Sequence, residues 1–404
     1  MEEKIEEKFK SVAANEENPK WNNMISRQEP LYQRRSDIRS DFQRDCNRIL
    51  HSNSFRRLKH KTQVFFSPSS DHICTRIEHV NLVESISYTI ANALGLNTEL
   101  TKAISLAHDM GHSPFGHQGE KILSSISKKE IDDTFWHEKN GLFLADRIEL
   151  LEDAEDCKRN LDLTYAVRDG IISHCGEIDE NSLKPRQEAI DLDQYMCPNQ
   201  YNPYTWEGCI VKIADKISYI GRDIEDALSI GLFQKEKINE LKEILHRSKK
   251  ESLNNTVIVN DLIMDLCYHS NIQEGFMLSK EKYEMLNAIK KFNYENIYLS
   301  ERLKPSHEYF KLIIEQIYHT LCLGYGRENT KETLFKLSKV YPNLAIRFLE
   351  WLEAYWNLER KENYQNRVVF DMSKEEDYKK AVLTYISGMT DEYAITLYDE
   401  IISF

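Results

Sequence analysis

Thirteen consecutive residues concentrate chemistry in this chain: His108-Asp109-Met110-Gly111-His112-Ser113-Pro114-Phe115-Gly116-His117-Gln118-Gly119-Glu120. Three histidines and two carboxylates stand there among three glycines and a proline. A lone His-Asp pair is ordinary surface or core polarity; the whole string is not. Adjacent residues in a helix point about 100° apart. His108 and Asp109 therefore meet one metal ion most easily at a helix end, where negative partial charge also favours a cation. A helix is predicted over 98–107, with Leu100, Ala103, Ile104, Leu106 and Ala107 as its apolar face and Thr98 as its N-cap. Gly111 and Pro114 should stop it. Pro114-Phe115-Gly116 then makes a turn, after which His117 and Glu120 face one another on a new helical turn.

The string resembles the HD-domain phosphohydrolases and, within them, the deoxynucleoside triphosphate triphosphohydrolases, often called dGTPases. Other segments resemble the same family: Arg44-Asp45-Cys46-Asn47-Arg48-Ile49-Leu50, Phe55-Arg56-Arg57-Leu58 with Lys61-Thr62-Gln63-Val64-Phe65, and Arg76-Ile77-Glu78-His79. So do residues 207–217 and 219–227, and Ser387-Gly388-Met389-Thr390-Asp391 near the C-terminus. The similarity is dense from about Arg35 to Ile230 and patchy afterwards. It implies an all-α, HD-domain helical fold with additional C-terminal helices.

Composition agrees with that expectation. The 404 residues can bury a large core, and only 14 glycines and 9 prolines suit long helices. A formal charge of −13 argues against a surface that coats nucleic acid or an anionic membrane. The sequence holds no apolar run long enough for a membrane span, and Met1-Glu2-Glu3-Lys4 is too charged for a signal peptide. Eight cysteines without a C-x-x-C pair suit reduced thiols in a cytoplasmic protein.

Three regions are expected. Residues 1–33 read as a charged, solvated arm, with a short amphipathic helix over 2–10. Residues 34–231 form the metal-dependent catalytic core. Residues 232–404 are helices that complete the nucleotide pocket and the oligomer contacts. Within the core, residues 34–61 invert the chain's acidity, with nine Lys/Arg against Asp37, Asp41 and Asp45. A triphosphate tail, a regulatory nucleotide or single-stranded DNA would each suit that stretch. Residues 66–75 read as a loop. A helix over 76–94 is capped by Gly95, and another spans 165–174, where His174 reads as a packed or solvent-facing histidine. A polar excursion covers 176–205, and a long helix runs over 206–229. Asp215 lies beside that helix's apolar stripe and needs a metal or a basic partner if buried. C-terminal helices are predicted over 235–244, 257–267, 280–292, 307–323, 332–339, 344–361 and 373–386, the last opened by a Ser373-x-x-Glu376 capping box.

The resemblance makes His79, His108, Asp109 and Asp215 the metal ligands. Sulfur is absent from this set, which argues against structural zinc or an iron–sulfur site. One divalent ion is implied, with manganese, magnesium, iron, nickel and zinc all chemically suitable, and a further magnesium can accompany the nucleotide. Such an ion polarises a phosphoryl oxygen and positions water. His117 is the natural proton-transfer residue and Glu120 its orienter, while His112 should contact phosphate or the leaving oxygen. The resemblance assigns phosphate contacts to Arg76, His137, Lys216 and Tyr219. It assigns the sugar 3′-hydroxyl to Gln63 and Asp223, and rejection of ribose to Val64 near C2′. The implied reaction is hydrolysis of a deoxynucleoside triphosphate to deoxynucleoside and inorganic triphosphate by a homotetramer or homohexamer. Alarmone and cyclic-dinucleotide HD enzymes are the rivals among hydrolases. The former carry a Glu-Asp pair where this chain has Gly111-His112-Ser113-Pro114, and the latter carry extra His-His and Gly-Tyr-Pro features absent here. A non-catalytic nucleotide or nucleic-acid sensor is the rival outside them.

Overall fold

A computed structural model describes residues 7–31, 37–66, 72–174, 181–246 and 255–403. Helices dominate, and the only sheet among the described residues is an antiparallel pair, Leu150–Glu152 with Lys158–Asn160. That hairpin is too short for its alternation to be visible in the sequence.

Two apolar cores organise the helices. The first gathers the helices Arg76–Leu94, Thr98–Ala107 and Trp206–Ser229. Their apolar stripes recur at three- and four-residue steps, so Val80, Val83 and Ile90 meet Leu100, Ile104, Ile210 and Ile217 in one buried mass. The second is built by Lys304–Cys322, Pro342–Leu352, Glu375–Ser387 and Asp391–Ile402. The helix Gly116–Ile131 belongs to this second core, through Ile122, Leu123 and Ile126. The seam between the two cores thus falls inside the thirteen-residue string.

The helix bounds over 76–94, 206–229 and 235–244 are those the periodicity predicts. Gly95 adopts the left-handed conformation (φ 77°) that closes the first of them. Elsewhere the structure corrects the expectation. Asn97, not Thr98, caps the ligand helix, its side chain accepting from the amides of Glu99 and Leu100 at 3.0 Å. Ser373 caps nothing; its hydroxyl bonds Asp371 and the helix begins at Glu375. The helix expected over 344–361 ends at Leu352, after which the chain is largely irregular. The helix Asp391–Ile402 was not foreseen. The N-terminal segment is no solvated arm over its described part: Phe9 is fully buried, stacks on Phe276 and meets Trp206 edge to face. Most of the helix expected over 2–10 lies outside the described residues, as do parts of the basic 34–61 stretch and the 66–75 loop.

Candidate metal and phosphate site

His79 stands in the first turn of Arg76–Leu94, His108 and Asp109 in the 3-10 turn that ends Thr98–Ala107, and Asp215 midway along Trp206–Ser229. Three helices therefore converge on one point. His79 Nε2 lies 3.0 Å from Asp215 Oδ1 and 3.7 Å from Asp109 Oδ2. His108 Nε2 lies 3.5 Å from Asp109 Oδ1 and 3.9 Å from Asp215 Oδ1. His79, His108 and Asp215 bring donor atoms within 4.8 Å of one another, close enough for a single first-row divalent cation, while Asp109 reaches His79 and His108 through different oxygens, one of which also accepts Arg76. The hydrogen-bond pattern agrees. His108 Nδ1 is anchored on the Ser105 carbonyl at 2.6 Å, leaving a buried Nε2 that has no hydrogen-bond partner. A ring nitrogen so presented is how proteins prepare a metal-ligating histidine. Burial would raise the Asp215 carboxyl, but His79 and His108 hold it down to about 2.

The turn that follows Asp109 is held by contacts from three distant segments. Phe115 (φ 62°) and Gly116 (φ 58°) are both left-handed. Phenylalanine pays for that conformation, and surrounding contacts must hold it. Asp391 Oδ1 accepts the Phe115 amide at 2.8 Å, while its Oδ2 accepts the Thr62 amide at 2.8 Å and hydroxyl at 2.5 Å. Buried Lys61 donates to the carbonyls of His112 and Ser387. Asn140 donates to the Gly111 carbonyl at 2.7 Å. A side chain at Gly111 would collide with the backbone of His137 and Gly141, so glycine lets the turn lie directly on the helix His137–Phe143.

Beyond the turn, His117 lies apart from the four-donor cluster, its side chain 61% exposed and its Nδ1 3.6 Å from Glu120 Oε2. The expected partnership with Glu120 is shared. Glu120 accepts His137 Nδ1 at 3.0 Å and the His137 amide at 3.2 Å, both closer than His117. Burial lowers the His137 imidazole, but Glu138 and Glu120 outweigh it and push it up to about 9. Burial would raise Glu120, yet His137 and His117 hold it well below the usual carboxylate range. His112 stacks on His137 with ring centroids 3.8 Å apart and lies 3.0 Å from both Asp109 Oδ1 and the Arg76 guanidinium. Burial and Arg76 keep it neutral, well below its ordinary range.

A cavity of about 590 Å³ opens over these groups, within the range of small-molecule sites. Gln63, Val64, Arg76, Lys216, Tyr219 and Asp223 all line it. Arg76 is already engaged by Asp109 at 2.9 Å and by the carbonyls of Thr62 and Gln63. Gln63 Oε1 and Asp223 Oδ1 are buried acceptors without hydrogen-bond partners. Burial raises the Asp223 carboxyl to about 6, even though its other oxygen accepts the Tyr298 hydroxyl. Sequence reasoning missed the far wall: Tyr294, Tyr298, Leu303, His307 and Phe310. Phe310 stacks on Phe115 at 4.3 Å, nearly parallel. No periodicity distinguishes these residues from ordinary core aromatics.

Comparison with known proteins places the sequence beside characterised families. Residues 76–220 match the HD domain and residues 343–400 the phosphohydrolase-associated domain. A deoxyguanosinetriphosphate triphosphohydrolase-like protein of Caldanaerobacter subterraneus subsp. tengcongensis is 34% identical over 366 residues, covering 90% of this chain and 86% of the relative. Proteins with the same description from Desulfatibacillum aliphaticivorans and Rickettsia bellii are each 30% identical, covering 90% and 91% of this chain and 88% and 93% of theirs. With its helical fold, its histidine–aspartate cluster and these relatives, the chain belongs to the HD-domain phosphohydrolases of the deoxyguanosinetriphosphate triphosphohydrolase-like family.

Proposed function

We propose that the protein hydrolyses deoxynucleoside triphosphates to deoxynucleoside and inorganic triphosphate. The observation that carries this reading is one cavity that joins His79, Asp109 and Asp215 to two unpartnered buried acceptors, Gln63 Oε1 and Asp223 Oδ1. Such acceptors suit a sugar hydroxyl, because a donor there removes the cost of a buried unmade hydrogen bond. Val64 beside them leaves an apolar wall against C2′ and disfavours ribose. Arg76, Lys216 and Tyr219 carry the phosphates, with His137 facing the same chain from the opposite wall. A divalent ion held by His79, His108, Asp109 and Asp215 supplies Lewis-acid polarisation of the phosphoryl oxygen. His112, neutral and stacked on His137, faces the leaving oxygen. His117 is accessible enough to pass a proton between water and the leaving group, and Glu120 fixes its tautomer.

Residues 34–231 supply this chemistry, and 232–404 supply pocket walls and subunit contacts in a tetramer or hexamer. The basic 34–61 stretch suits a regulatory nucleotide or single-stranded DNA. Incubating the purified chain with each of the four deoxynucleotides and Mn²⁺, alone and mixed, should release triphosphate and an unphosphorylated nucleoside. Monophosphate and pyrophosphate as products would overturn the reaction. Binding without turnover would leave a sensor.

A further inference from the structure

Behind the helix His137–Phe143 lies a second cavity, of about 270 Å³. His137 and Glu138 line the large cavity, whereas Lys139, Asn140, Leu142 and Phe143 line this one. A turn of about 100° per residue puts the two sets on opposite faces of one short helix. Ser127 and Ile131 reach the second cavity from the helix that bears His117 and Glu120, and Thr384 from the helix that ends at Ser387.

Phe135, Trp136, Phe143 and Tyr195 give this cavity flat aromatic walls. Trp136 is 4% exposed, and its indole N–H is buried without an acceptor. A buried donor left without a partner is costly, so it marks a place for an acceptor. The charged lining adds a sign. Lys139 is paired with Asp133 at 2.6 Å, and Asp146 with Arg168 at 2.5 and 2.8 Å. Half-buried Arg147 and Lys380, whose Nζ stands 5.1 Å from the Phe143 ring, remain against exposed Asp193. Two cations against one carboxylate leave a single positive charge. A carboxylate answers it, while a phosphate monoester would bring roughly −1.5 to −2. The space is less than half the 590 Å³ of the large cavity, which excludes a second nucleoside triphosphate.

We propose that this cavity is a second ligand site, for a small aromatic monocarboxylate, and that its occupant acts on His137 through the helix between the two cavities. His137 holds Glu120 from one end of that helix, and Asn140 ties it to the Gly111 carbonyl at 2.7 Å. Gly111 packs on this helix with no room for a side chain between them, so a shift of the helix reaches His137 and the turn together. Only the coupling rests on the phosphohydrolase reading.

The test is fluorine magnetic resonance on the full chain labelled with fluorotryptophan and titrated with naphthoate. The chain has five tryptophans, and Trp136→Phe assigns one signal by its loss. That signal should shift saturably, and a saturating deoxynucleotide should not displace the naphthoate. Arg147→Gln should weaken binding by roughly tenfold, through loss of a charge-assisted hydrogen bond. Lys380→Gln, at an exposed position, should weaken it less. The other tryptophan signals report that each variant is folded. Naphthol, the same ring without the charge, should bind wild type as weakly as naphthoate binds Arg147→Gln. No shift, a shift indifferent to Arg147→Gln, or displacement by deoxynucleotide overturns the site. Tighter binding of naphthyl phosphate overturns the carboxylate. Saturating naphthoate should also change the single-turnover rate by roughly fivefold or more. Binding with that rate unmoved overturns the coupling. No turnover at all overturns the phosphohydrolase reading and leaves the ligand site standing, because binding is read without it.

Discussion

The two cores of this molecule do different work. The HD core holds buried ring nitrogens without hydrogen-bond partners, His108 Nε2 and His174 Nε2, beside the candidate ligands. The C-terminal core is an aromatic mass in which buried Tyr355 and Tyr378 bond backbone carbonyls and Phe348 packs against Trp351 and Tyr385. Unsatisfied polar groups are costly, so their concentration marks the region that waits for ions and substrate. Yet the thirteen-residue string is divided between the two. His108 and Asp109 end a helix of the first core, while His117 and Glu120 ride on a helix of the second. The C-terminal region reaches back through Asp391 and Ser387 to clamp the turn between them. The candidate ligands belong to one core and the candidate proton carrier to the other, so their relative placement depends on both.

Five substitutions test that division. Asp109→Ala should have the largest effect, reducing activity to background and lowering bound metal per chain together. Activity retained without metal would break the assignment of chemistry to the first core. His117→Ala should keep the metal and nucleotide affinity while single-turnover rate falls by roughly 10²–10⁴. Loss of metal there would move His117 into the first core's ligand set. Because Glu120 holds His137 as well as His117, Glu120→Gln should fall about as far as His117→Ala, beyond what an orienter of one histidine would lose.

Asp391→Asn probes the reach of the C-terminal core. All three hydrogen bonds lose their charged acceptor, and at least one donor then faces an amide NH2 in place of an oxygen, at a cost on the order of 1–2 kcal/mol. If half of that falls on the placement of His117, kcat drops about two- to fivefold with metal content unchanged. A variant that loses only thermal stability, with kcat intact, would reduce Asp391 to a structural role. Asp223→Asn should have the smallest and most mixed effect. Burial raises this carboxyl to about 6, so the ionised form is the strained one. The folded state is then relatively favoured at low pH, and that advantage is lost as pH rises through about 6. Asn removes the penalty. The variant should melt higher than wild type at pH 7.5, by on the order of 1–3 kcal/mol of stability, with the difference fading by pH 4. Its deoxynucleotide affinity should fall. An equal stability difference at both pH values would reject the buried-charge account.

Local pattern carried much of this far. The helices that bear the ligands are long and strongly periodic, so their bounds could be read from apolar spacing at 76–94 and 206–229. The His-Asp string identified itself by residue type and by the turn residues within it. Caps were less legible: Asn97 and Thr98 are both good N-cap types, and only the backbone decides which side chain meets the free amides. What tertiary structure alone decided is which distant groups share a space. Asp391 and Phe115 are 276 residues apart, His174 looks like any histidine at a helix end, and Tyr298 and Phe310 look like core aromatics. Sequence fixes a residue's chemistry and its face on a helix, because both are local. Convergence depends on how whole helices pack, and no short-range spacing records it.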